Sequence, residues 1–397
     1  MKAWKLSPLA VALISVNSYA VEPTGLALGS GVTFLPALNL DVESNSNIYS
    51  QADDETSDTI TRITPAFTMQ GDFGKTQLNA YYQAEQGTYG DDENDNYLDQ
   101  KVNAGLGYEI TSRQQLNIEA SYNDAHDARG AGTVEGNAAA VVDPDEYKET
   151  TGGLTYVYGA DSATANLSVF ADSYQKRYGN NEEFLTKNRD HNKVNYGAIL
   201  SLTSSPTAEV IFEARQTNIS YSEDSAIAEA REGREQRLFT GMRWDISGAT
   251  TGEVKVGRSS RFFDDGPSKS NTRLAWEANL TWQPLTYSTV VISSAQSSNE
   301  TNGAGDYIAN TFTSASWDHE FSTYYSAGIN ASVNSDVYVA DTDARKDDIV
   351  SFGVNGVYSP MPWMDVTLSY SQAARNSNND AFDYDNQIIN LGFDLAL

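Results

Sequence analysis

Three histidines, His126, His191 and His319, are the side chains of this chain best suited to proton transfer near neutrality, and cysteine is absent. A Ser-His-Asp site needs its members brought together, with the histidine held between nucleophile and carboxylate. His126 and His191 fall in stretches that read as loops, and His319 in one that reads as a turn. On this reading no inward strand position carries a histidine. Zinc ligation would need cysteine or paired histidine spacing, and both are missing. Four acid clusters stand out: Asp53-Asp54-Glu55, Asp91-Asp92-Glu93-Asn94-Asp95, Asp143-Pro144-Asp145-Glu146 and Asp264-Asp265. They lack the glycine and terminal glutamate of a calcium-binding helix-loop-helix. A solvated rim is the ordinary reading, with divalent ions shared with lipopolysaccharide as the functional alternative. No catalytic residue, cofactor site or metal site is assigned.

A different set of ionisable residues follows a rule. Arg62, Lys101, Glu119, Arg215, Arg243, Arg273, Glu277 and Asp394 each sit in a segment whose alternate positions are apolar. In a strand the two parities face opposite ways. These eight would then line a water-filled interior, as a polar track for a sugar chain or as cross-strand ion pairs that stiffen the wall. Trp244, Trp276 and Trp282 share the apolar parity and read as an interfacial belt.

The elements that would position them are strands. In the closing segment Ile389, Leu391, Phe393, Leu395 and Leu397 alternate with Asn390, Gly392, Asp394 and Ala396. The same period of two runs through Leu98–Ile110, Leu116–Tyr122, Val194–Leu202, Leu238–Ile246, Leu274–Trp282 and Val350–Tyr358. Val32–Val42 reads as the first strand, with Pro36 inside it, and residues 43–58 as a polar loop. Two-faced strands can satisfy their backbones in lipid by closing into a barrel. The expectation is an all-β fold: a transmembrane antiparallel up-and-down β-barrel of about 18 strands, roughly 21 residues per strand and connection. Short connections such as Gly71–Gly74, Thr111–Arg113 and Pro360–Pro362 alternate with long acidic or glycine-rich ones. The short ones would be periplasmic turns and the long ones external loops. The long connection Asp124–Glu146, with Gly130, Gly132 and Gly136, is the best candidate to fold inward.

Bulk properties agree with that expectation. Mean hydropathy is −0.48, too polar for a bundle of membrane helices. Residues 1–20 read as a secretory signal: Lys2 and Lys5, an apolar run, then Ser18-Tyr19-Ala20. Residues 21–397 would be the barrel. Removing the signal takes two lysines from a chain of net charge −28 and leaves −30, which argues against a nucleic-acid partner. The absence of cysteine suits a chain that crosses an oxidising compartment unfolded.

Two segments carry a resemblance to a known family. Glu43-Ser44-Asn45-Ser46-Asn47-Ile48-Tyr49 resembles the segment after the first strand of an outer-membrane β-barrel porin family associated with exopolysaccharide and capsule export operons. Tyr358-Ser359-Pro360-Met361-Pro362-Trp363-Met364, with Ser369-Tyr370-Ser371, Arg375-Asn376-Ser377-Asn378 and Asp383-Tyr384, resembles that family's last hairpin. The resemblance implies a conduit for a secreted polysaccharide in the outer membrane of a Gram-negative bacterium. Its implied partners are the polysaccharide, a periplasmic polysaccharide-export protein and an inner-membrane assembly system. Outer-membrane lipid, lipopolysaccharide and the barrel-assembly machinery are expected partners of any such barrel, and Phe393 would supply the aromatic assembly signal. The alternative is a general or substrate-specific diffusion porin. A membrane-embedded enzyme is a third reading, disfavoured by the histidines.

Overall fold

The structure is a computed structural model that describes residues 25–396 except 161, 162, 185, 224, 226, 227, 229, 247 and 265–269. The signal expected over residues 1–20 and the terminal Leu397 lie outside the described residues. Nineteen strands are described. They are β1 (Leu26–Gly29), β2 (Val32–Asn45), β3 (Asp58–Asp72), β4 (Thr76–Tyr89), β5 (Tyr97–Thr111) and β6 (Gln114–Asp127). Then follow β7 (Asp145–Tyr158), β8 (Ala165–Tyr178), β9 (His191–Ser205), β10 (Ala208–Tyr221), β11 (Gly233–Ile246) and β12 (Thr250–Phe263). The chain ends with β13 (Asn271–Leu285), β14 (Ser288–Asn299), β15 (Tyr307–Ser322), β16 (Tyr325–Val339), β17 (Lys346–Met361), β18 (Met364–Ser377) and β19 (Tyr384–Ala396).

From β2 to β19 each strand pairs antiparallel with the next, and β19 returns to β2 with Leu391 opposite Val42. Eighteen strands therefore close into a barrel. Closure satisfies every ladder without leaving an edge in lipid. β1 pairs with Val32–Phe34 of β2, while β19 reaches Ala37 of the same strand. β1 thus continues the edge where β19 stops. Leu35 and Pro36 fall in the gap between the two, where a residue lacking an N–H costs the ladder nothing.

Rows of side chains show which face meets lipid. Leu391 lies between Leu368 and Val42, and all three are exposed (41%, 59% and 46%). Its neighbour Gly392 lies between Thr367 and Asp41, and Asn390 between Ser369 and Glu43. One face of the same strands is apolar and outward; the other is polar and inward.

Connections at one end are tight, such as 73–75, 112–113, 206–207, 286–287, 323–324 and 362–363. Those at the other end are long, including 46–57, 128–144, 179–190, 222–232 and 300–306. Several strands outrun the sequence reading at this loop end. β2 continues through Glu43, Ser44 and Asn45, and β6 through His126, while β9 opens at His191. At the turn end β15 continues past His319 to Ser322. All three histidines therefore belong to strands, which corrects the loop and turn assignments made from sequence.

Candidate functional site: the lumen and the loop across it

The inner wall of β9–β13 pairs its charges with one another. Arg215 donates through Nε to Glu213 (2.6 Å) and through Nη2 to Glu277 (3.1 Å). Lys255 Nζ bridges Glu213 (2.8 Å) and Glu277 (2.6 Å). Arg237 bonds Glu235 at 3.0 Å, and Arg243 Nε bonds Glu253 at 2.7 Å. Cross-strand register puts these groups side by side, since Arg215 faces Arg237 and Lys255 faces Glu277. Under them lies an apolar patch, Phe170, Ile199 and Ile211, with Phe239 beside it. Arg215 and Lys255 each lie 5.5 Å from the centre of the Phe239 ring. Gly197 leaves room for Phe170, whose ring is 2.6 Å from where a Cβ would stand.

A second cluster gathers on β2–β5. Arg62 reaches Glu43 (2.7 Å), Asp41 (3.3 Å) and the Tyr97 hydroxyl (2.9 Å). Of the other sequence candidates, Arg273 lies 5.4 Å from the Tyr307 ring, and Asp394 accepts from Asn39 at 2.9 Å. Lys101 and Glu119 share the inward parity and are exposed. The structure thus joins Arg215, Glu277 and, through Glu253 and Lys255, Arg243 in one network, and places Arg62, Arg273, Lys101, Glu119 and Asp394 outside it.

The inner wall of β15–β19 is different. It borders a cavity of about 490 Å³ lined by hydroxyls, amides and glycine, among them Ser316, Asn330, Ser332, Asn355, Ser369 and Asn390. Asp394 is the charged group at its edge. The lumen therefore has one wall that pairs its charges internally and one bordered mainly by hydroxyls and amides, with Asp318, Asp365 and Asp394 on the same inward parity.

Across the loop end lies the 128–144 connection. Nine long loops ring this end, and those at 300–306 and 340–345 stand four places from it in either direction. It nevertheless touches both. Glu135 pairs through Oε2 with Arg345 Nη1 (2.8 Å), accepts from Asn302 Nδ2 (2.7 Å), and pairs through Oε1 with Arg375 of β18. On its near side Arg129 pairs with Asp92 and Asp95 and bonds the Tyr49 hydroxyl, and Arg189 donates to Thr133 at 3.1 Å. Ala138 (2% exposed), Val134 and Val141 are buried. The connection crosses the mouth of the lumen. Gly130, Gly132 and Gly136 all have positive φ (81°, 62° and 73°), which lets the path fold back without a Cβ clash.

Beside it, Glu300 is enclosed by Arg261 (3.2 Å) and Lys193 (3.4 Å) and accepts from Tyr221. Burial pushes its pKa up, but Arg261 and then Lys193 outweigh that and hold it below the usual carboxylate range. His191 lies against the Tyr174 and Tyr221 rings, and its Nδ1 is 2.7 Å from the Arg189 carbonyl. His126 bonds Asp99 at 2.9 Å, and His319 packs among Tyr287, Trp317 and Phe321. The three histidines stay in three separate neighbourhoods.

A family model described as "Putative beta-barrel porin 2" matches residues 19–397, almost the whole chain. The chain belongs to this β-barrel porin family. It is an outer-membrane protein of a Gram-negative bacterium. No curated protein matches the sequence. Among solved structures, the porin is similar to the outer membrane protein OpdK of Pseudomonas aeruginosa (11% identity, TM-score 0.48, covering 92% of this chain and 99% of that one). It is also similar to OpdL of the same organism (10%, TM-score 0.49, 93% and 99%). The FrpB iron transporter of Neisseria meningitidis, F3-3 variant, is a further likeness (10%, TM-score 0.46, 86% and 62%).

Sequence reasoning missed the partners of the porin's crossing loop. Asn302, Arg345 and Arg375 lie in or beside three different connections, and nothing in their local spacing marks them. It also missed the inner apolar patch. Phe170, Ile199 and Ile211 do sit on the inward parity of β8, β9 and β10, so a search for apolar residues out of phase would have found them.

Proposed function

We propose that this porin is the outer-membrane conduit for an exported exopolysaccharide or capsule polymer. The observation that supports the reading is the cavity on the inner wall of β15–β19, where Asn, Ser and Thr offer donors and acceptors in the chemistry of sugar hydroxyls. The charged wall of β9–β13, one strand away, pairs its charges internally, so it holds little net attraction for ions. The two terminal segments that resemble the export-associated porins support the same reading. A periplasmic export protein is the expected partner, with lipopolysaccharide around the barrel and the barrel-assembly machinery acting before it. Deleting the gene and measuring surface polysaccharide tests the proposal, and secretion should fall.

The 128–144 connection favours a second reading, a diffusion porin for small solutes, because it narrows the passage. Unchanged polysaccharide secretion with lost uptake of small hydrophilic solutes in the same deletion strain would select it.

A further inference from the structure

Glu135 sits where a ligand could sit. Its carboxylate arrives from the 128–144 connection, yet all three groups that hold it belong to the far side of the barrel: Arg345, Arg375 and Asn302. The two arginines are fixed without it. The Arg345 guanidinium lies 3.6 Å from the Phe382 ring centre and 4.3 Å from that of Tyr338, and also pairs with Asp347. The Arg375 guanidinium lies 4.7 Å from the Tyr384 ring and donates through Nε to the Phe382 carbonyl. Both are buried, at 4% and 7% exposure. Among the described residues Arg375 Nη2 is enclosed and makes no hydrogen bond. A buried guanidinium donor left unused is costly, and an added acceptor would remove that cost.

We propose that Arg345, Arg375 and Asn302 form a carboxylate-binding cradle at the mouth of the pore, which Glu135 fills in the closed form. With Glu135 in place, the two guanidinium groups pair with Glu135 and Asp347. When Glu135 leaves, Arg375 loses the carboxylate it pairs with among the described residues, and the cradle takes a single anion in its place. A planar carboxylate presented by a solute meets the forked donors as Glu135 does. It also has the enclosed Nη2 to gain. Displacing Glu135 frees the far anchorage of the crossing loop, which its positive-φ glycines allow to swing back toward β6 and β7. Recognition of the solute and opening of the passage are thus one event. The solute class is a sugar acid, either within a polymer or free. The inference rests on the chain being a pore and goes beyond the proposed cargo by naming an acidic group on it.

The test uses the full-length barrel in planar bilayers. Oligogalacturonate, free galacturonate and neutral maltohexaose are added in turn from the loop side. Wild-type conductance should rise at least twofold with oligogalacturonate and stay level with maltohexaose. A rise with free galacturonate as well assigns the cradle to small sugar acids; a rise with the oligomer alone assigns it to a polymer. Glu135→Gln, close in shape and able to keep the Asn302 contact, should conduct at least twofold more than wild type without ligand and lose the response. Equal responses to acidic and neutral sugars, or wild-type conductance in Glu135→Gln, would overturn the cradle while leaving the pore. A barrel silent in every form would overturn the pore reading and the cradle with it.

Discussion

Asn47 donates through Nδ2 to the carbonyl of Asp385 at 3.0 Å, and so ties the first long loop to the last strand across the seam where the barrel closes. The same amide donates to Gln51 O (2.8 Å) and accepts from Gln51 N (2.9 Å), and the residue is fully buried. Asn47→Ala takes a partner from the carbonyls of Gln51 and Asp385 and from the Gln51 amide. The expected loss is about 1–3 kcal/mol. The urea midpoint of the detergent-folded barrel should fall accordingly, and an unchanged midpoint would mean that the seam is held elsewhere.

Leu391 and Asn390 are neighbours in chain and opposites in environment. Leu391→Arg places a cation against lipid between Leu368 and Val42, at a cost of about 2–4 kcal/mol if near the bilayer midplane. Asn390→Arg places it beside Glu43 inside, with a change of about 0.5 kcal/mol or less. Unfolding from phospholipid vesicles measures both. Equal losses, or the reverse order, would contradict the assignment of faces.

Lys255 bridges Glu213 and Glu277, and the Glu213 side chain is 1% exposed. Lys255→Met should cost about 1–3 kcal/mol, because Glu213 and Glu277 keep Arg215 but each lose a charge-assisted partner. Adding Glu213→Gln should restore a part of that loss. Guanidinium titrations of the single and double variants decide this, and a double variant worse than the single would refute the pairing.

Glu300 links stability at the loop end to pH. Its pKa is held below the usual carboxylate range by Arg261 and Lys193 against burial. A depressed folded pKa gives stabilisation that is complete above the unfolded value of about 4.3 and fades as pH falls toward the folded one. The protease resistance of the loops in wild type should therefore exceed that of Glu300→Gln by a constant factor from pH 7 to 5. The advantage should shrink below about pH 4. An advantage that grew on acidification would reverse the sign of the coupling.

The fold was legible because lipid imposes the alternation. Leu391, Leu368 and Val42 must be apolar while their neighbours need not be, so strand number and facing could be read from residue type. The strand ends were not legible, for the same reason. Beyond the lipid the outer face is free to be polar, while the ladder runs on through Glu43–Asn45, His126 and His191. There the pattern stops before the strand does. His319 was lost at the opposite end, in an aromatic girdle where a histidine ring packs as Tyr287 and Trp317 do. Inside, neither sign nor polarity is dictated by solvent once Arg215 and Lys255 roof the wall, which is how Ile211 comes to lie there. Asn302, Arg345 and Arg375 were invisible because their role exists only when the ring is closed. The first of the two segments that suggested a family packs against the start of the last strand: Ser46 and Asn47 bond Asn386 and Asp385, just past Asp383-Tyr384.

A connection that crosses a ring has its far anchors only where the far strands are in place. Glu135 is carried between β6 and β7, while Arg345 immediately precedes β17 and Arg375 lies in β18. Only when β17 and β18 have zipped into place does that carboxylate find its counter-ions. Its capture therefore depends on the far strands, and a chain truncated before β17 should leave the crossing segment open to protease.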